Sequence, residues 1–217
     1  MKLIAVVGSR QLAASSAERV GAIVTCLVQR GCRIGSGGAL GTDLFALQAV
    51  VRLGQEACTG SRIFLPGSIE QAPLDSRDYL VRFRALGGEV ITGPVAGRTV
   101  NRHAYIEALR QRTVALVQAS SGVVAFVSGV SRGTWFTCEQ AVRLSKPVVV
   151  VPAQGPGSLR ALGCGRWQPL GIWHGAWQWT PSVPNGNRCR HGLPVAYCMA
   201  GITTLGAYWK EDHHESA

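Results

Sequence analysis

The chain has 217 residues, 47% hydrophobic and 16% charged, with 22 Lys and Arg against 12 Asp and Glu for a formal net charge of +10. This balance excludes global disorder and supplies enough apolar side chain for one large domain, or for one ordinary domain with a small appendage. The basic residues are Arg apart from Lys2, Lys146 and Lys210, an excess that points either to a polyanionic partner or to a soluble surface with Arg-biased codons.

The first two thirds alternate regularly. Residues 2–8 (KLIAVVG) are a continuous apolar run and predict a strand. Residues 15–31 have helical spacing, with Ser15 or Ser16 as cap and Gly31 as stop. A second strand (CRIGSGG, 32–38) leads through glycines into a helix over 41–54. A strand over 62–67, a helix over 73–88 and a strand over 89–94 follow. A long helix over 101–120, a strand over 122–129, a helix over 134–145 and a strand over 146–153 complete the series. Strands that are apolar throughout, each followed by a helix, predict an α/β fold with a doubly wound, Rossmann-like parallel sheet over residues 1–155. Such sheets bind ligands beyond the carboxyl ends of their strands.

Residues 156–217 are rich in Gly, Pro and Trp without a clear period, and read as an irregular extension or small module. Trp167, Trp173, Trp177 and Trp179 lie close together there; core filling is the expectation, base stacking the alternative. Cys164, Cys189, His191 and Cys198 are candidate ligands for a structural zinc, although no C-x-x-C spacing is present. The remaining Cys residues read as buried free thiols. The first ten residues read as a strand, not a signal peptide, and no apolar stretch reaches the roughly 18 residues of a membrane span. A cytoplasmic protein is expected.

Three loops after strands carry the candidate chemistry. Gly8, Ser9 and Arg10 end the first strand, where a close backbone, a hydroxyl and a guanidinium suit a phosphate. GSGGALGTD (35–43) places Ser36, Gly37, Gly38 and Gly41 at a strand-to-helix turn, a backbone amide nest without the Lys of a Walker A loop. Asp43 is unusual beside an anion site and fits a helix cap, a ribose contact or a partner for Arg10. Ser131, Arg132, Gly133 and Thr134, with Thr137 one turn on, open a helix and suit an anion or ordinary capping. Asn101 and Arg102 begin the long helix, on which Arg110 and Arg112 read as a solvated face. The phosphate could belong to a small nucleotide, to a substrate or to a nucleic-acid backbone.

In order and content these motifs resemble the DprA/Smf family, within the superfamily that includes the LOG phosphoribohydrolases. The resemblance covers residues 3–155: VVGSR, SGGALGTD (Ser36–Asp43), Asn101–Arg102, the RGTWFTCEQA stretch with Gly133, Thr134, Thr137 and Ala141, and VVVPA. Leu40 stands where the family usually has Arg, and the helix after Asn101–Arg102 is longer than the family's. The amino-terminal helical domain and winged helix of many members have no visible counterpart. LOG enzymes carry a catalytic Glu in P-G-G-x-G-T-x-x-E; here that position is Thr137, and Glu139 is two residues late. The resemblance therefore implies a non-enzymatic protein that binds single-stranded DNA through its glycine loops, pairs as a homodimer and serves a recombinase. The alternatives are a nucleotide-binding or nucleotide-hydrolysing LOG-like protein, with a phosphorylated nucleotide as ligand, and a subunit of a larger nucleoprotein complex.

Overall fold

The computed structural model describes residues 1–95 and 101–182. Six strands run parallel: β1 (Leu3–Gly8), β2 (Arg33–Ser36), β3 (Arg62–Gly67), β4 (Glu89–Val95), β5 (Gly122–Val127) and β6 (Val148–Pro152). Between them lie α1 (Ala17–Gln29), α2 (Thr42–Leu53), the single turn α3 (Gln55–Cys58), α4 (Leu74–Ala85), α5 (Arg102–Ala119) and α6 (Arg132–Arg143). The doubly wound parallel sheet is the one expected from the apolar runs. α6 begins two residues earlier than its sequence pattern indicates, at Arg132, and the turn α3 has no counterpart in that pattern.

Part of the Gly/Pro/Trp-rich stretch is regular. β7 (Gly165–Leu170) and β8 (Ala176–Pro181) form a hairpin that joins the sheet, β8 pairing antiparallel with β6. The full order is β4-β3-β2-β1-β5-β6-β8-β7. Trp173 and Trp179 are buried, and Trp167 packs edge-on against both Trp135 and Trp179. Trp167, Trp173 and Trp179 therefore fill or line the core between hairpin and helices.

Strand alternation builds two cores. Ile4 and Val6 of β1 face a layer of α1, α2 and α4 that buries Val24, Leu27, Leu47, Leu80 and Phe83. Ala5 and Val7 face the opposite layer, where Leu116 and Val117 of α5 meet Trp135, Cys138 and Ala141 of α6. Burying each large side chain contributes about 1.5–3 kcal/mol. Cys58 and Cys138 are buried free thiols; burial pushes them up to about 11 and about 12 respectively. They remain protonated thiols at neutral pH.

Strand order reverses direction between β1 and β5, so the chain leaves these neighbours toward opposite faces. A crevice opens there at the carboxyl ends of the strands. The far end of α5 is fixed by Lys146, whose Nζ donates to the carbonyls of Val117, Gln118 and Ser120 at 2.7, 2.8 and 2.6 Å. All three ammonium protons thus close the open carbonyls of that helix end. Lys146→Ala should destabilise the fold by about 1–3 kcal/mol in urea unfolding; an unchanged midpoint would contradict this role.

Candidate functional site

The crevice is a cleft of about 640 Å³. Its walls come from the β1–α1 loop (Gly8, Ser9, Arg10), the β5–α6 loop (Ser128 to Thr134), the start of α2 (Ala39, Asp43) and the middle of α5 (Ile106, Arg110, Arg112). Among the described residues that line it, four arginines (10, 110, 112 and 132) stand against one carboxylate, Asp43.

Ser9 joins the two loops. Its Oγ accepts from Ser128 N–H at 2.8 Å, and lies 3.0 Å from the Ser128 carbonyl oxygen and 2.8 Å from Ser131 Oγ. Ser131 Oγ is also 2.7 Å from Thr134 Oγ1. The third loop docks on the first, because Thr42 N–H donates to the Ser9 carbonyl at 3.3 Å. Two glycines permit this approach. A Cβ on Gly8 would collide with the Phe126 carbonyl and Thr42, and Gly41, at φ +72°, lies against the carbonyls of Ser9 and Arg10.

The start of α6 faces the cleft through Ser131, Arg132, Gly133 and Thr134. Ser131 makes no side-chain cap bond, so the first-turn N–H groups keep their capacity for an anion. α5 differs: Asn101 Oδ1 accepts from Ala104 N–H at 2.8 Å and caps it. Asn101 and Arg102 are exposed and are not among the cleft-lining residues.

Several candidate hydroxyls serve the protein's own backbone. Ser36, fully buried, donates to the Val6 carbonyl at 2.8 Å, and Thr137 donates to the Gly133 carbonyl at 3.0 Å. Gly37, Gly38 and Gly41 are buried behind the cleft wall, while Ala39 and Asp43 reach its surface.

Arg112 is the site residue that the sequence pattern conceals. It is not on a solvated face: its side chain is 11% exposed and its Nη1 lies 3.8 Å from Asp43 Oδ2. A Cβ on Gly37 would fall on this guanidinium and on Asp43, so the glycine makes room for the pair. Asp43 Oδ2 also accepts from Ala39 N–H at 3.3 Å. Burial pushes the Asp43 carboxyl up from its ordinary value, against the pull of Arg112, the Ala39 N–H, Arg10 and the Gly8 N–H. Burial likewise lowers Arg112, opposed by Asp43; a guanidinium nonetheless stays charged in a protein. The tight fit at Gly37 and the burial of Asp43 appear only in three dimensions, so the sequence carries no signal for this cation.

Cys189, His191 and Cys198 lie outside the described residues. Cys164 is a half-buried free thiol, and among the described residues no group of three His, Cys, Asp or Glu could hold a metal ion. No described helix is long and apolar enough to cross a membrane.

The profile of the family described as DNA recombination-mediator protein A matches residues 1–167. Comparison with curated proteins finds no match. Among solved structures, the chain is similar to the DNA processing protein A of Helicobacter pylori, described for its single-stranded DNA binding mode, with a TM-score of 0.55 and 19% identity, covering 70% of this chain and 65% of that one. It is similar also to DNA processing protein A (DprA) of Streptococcus pneumoniae, with a TM-score of 0.50 and 19% identity, covering 74% of this chain and 52% of that one. The chain thus spans less than two thirds of either protein's length. At this identity the likeness is one of fold.

Gly37→Ala and Gly133→Ala should differ sharply. The first forces a methyl into the Arg112–Asp43 pair and should cost about 1–3 kcal/mol or more. The second has no heavy atom within 4 Å of the added Cβ and should be neutral or stabilising by about 0.4–1 kcal/mol. Urea unfolding of both variants checks the contrast; equal effects would contradict it.

Proposed function

The chain belongs to the DNA recombination-mediator protein A family, and on that premise we propose that its cleft binds single-stranded DNA by the phosphate backbone. The observation that carries this is the convergence of Arg10, Arg110, Arg112 and Arg132 with the open amino-terminus of α6 around one cleft whose described carboxylate is already held by Arg112. Guanidiniums grip phosphate oxygens in pairs, and helix-terminal N–H groups add donors without side-chain entropy. The apolar wall of Ile106, Leu109, Val130 and Phe136 suits sugars and base faces.

Within residues 1–155 the three loops divide the work. The Gly8–Arg10 and Ser131–Thr134 loops contact phosphate, and the Ser36–Asp43 loop sets the distance between them and holds Arg112. The family resemblance supports two further proposals, delivery of the strand to a recombinase and pairing as a homodimer; light scattering on the free and DNA-bound protein tests the second.

Fluorescence anisotropy with labelled oligo-dT at two salt concentrations tests the binding. Affinity should fall with salt by about 0.7 in log–log slope for each phosphate neutralised. Arg10→Ala and Arg132→Ala should each weaken binding and reduce that slope. Absence of binding at low salt would refute the proposal, and equal competition by dTMP would move the cleft to the small-nucleotide alternative.

A further inference from the structure

Arg112 and Asp43 form an incomplete pair. Their 3.8 Å separation exceeds the range of a charge-assisted hydrogen bond, about 2.7–2.9 Å. Arg112 Nε is buried and has no hydrogen-bond partner, an expensive state for a charged donor. Arg10 adds a second positive charge that acts on both members of the pair. One carboxylate under the influence of two guanidiniums leaves an uncompensated charge inside a cleft that opens to solvent, and an anion is the group that would complete it.

We propose that Arg112 is the anchoring oxyanion ligand of the cleft and that Asp43 is its internal counter-ion, displaced when a phosphate or sulfate oxygen takes the guanidinium. This deepens the reading of the cleft as a phosphate site and rests on it. In the free protein Asp43 holds Arg112 beneath Gly37; in the bound protein the ligand supplies the negative charge.

Proton linkage follows. An arriving anion repels the Asp43 carboxylate and withdraws its cation, so binding favours proton uptake at Asp43 and tightens as pH falls. The groups facing Asp43 are Arg112 from α5, Arg10 from the β1 loop, and the N–H groups of Gly8 and Ala39. Tyr105 of α5 adds its influence on Arg112. Burial already pushes the carboxyl up from its ordinary value, the same direction in which anion binding acts.

Sulfate and dT12 are suitable probes because neither changes charge between pH 5.5 and 7.5. Sulfate binding is read by thermal stabilisation against chloride at matched ionic strength, and dT12 binding by anisotropy. Wild type should bind both, more tightly at pH 5.5 than at 7.5. Arg112→Gln should weaken both by about tenfold or more. Asp43→Asn should tighten binding and abolish the pH response; a response surviving there would overturn the proposal. Because either single change leaves a buried group unpaired, the double variant Arg112→Gln/Asp43→Asn supplies a neutral amide pair; checked by circular dichroism for folding, it should bind as weakly as Arg112→Gln. Failure of sulfate to stabilise the wild type, or wild-type affinity in the double variant, would also overturn it. Sulfate binding through Arg112 without dT12 binding would uphold this site and refute the DNA reading. Loss of dT12 binding in Arg10→Ala but not in the Arg112 variants would do the reverse.

Discussion

The hydrogen bonds of the Ser9 hydroxyl hold together loops that are 119 residues apart in sequence. They join the ends of β1 and β5, the two strands from which the chain leaves toward opposite faces of the sheet. Every other feature of the cleft depends on that junction. It gathers Arg10, Ser131 and Arg132 around one cleft, and it presents the Ser9 carbonyl to Thr42, which brings α2 and Asp43 to the cleft wall. Gly8 and Gly41 are required because the three backbones meet too closely for side chains. The two cores below, one on each face, hold the strand ends rigid enough for such contacts to persist.

Electrostatics gives this junction a chemical purpose. A structural crossing has no need of several guanidiniums, and burying one against a single carboxylate at 3.8 Å is a poor source of stability. The arrangement is better understood as a site whose charges are completed by a ligand. Fixed positive groups in a recess of low dielectric attract anions more strongly than the same groups spread over a surface. The overall charge of +10 adds a long-range, salt-sensitive pull to the local geometry.

Much of this was legible in the sequence, for identifiable reasons. β1, β5 and β6 are buried on both faces, so they read as unbroken apolar runs, and the glycine loops fall where such strands must end. Arg112 was not legible, because an arginine on a long, weakly patterned helix resembles any solvated residue; its burial depends on Gly37, 75 positions earlier. The hairpin of β7 and β8 is masked in the sequence because Gly171 and Gly175 in its turn and Pro169 in its edge strand dilute the strand signal, although Trp177, Gln178 and Trp179 alternate as a strand does. Ser36 and Thr137 read as phosphate ligands in the sequence, but their hydroxyls donate to the carbonyls of Val6 and Gly133, an allocation that only three-dimensional contacts reveal.

The most direct measurement is a crystal structure of the chain with a short oligothymidylate. The strand should cross the cleft, with one phosphate within hydrogen-bond reach of Arg112 and another at the Ser131–Thr134 turn, and with Asp43 moved away from the guanidinium. A strand bound elsewhere, for example along the β7–β8 hairpin, with the Arg112–Asp43 pair undisturbed, would contradict the account.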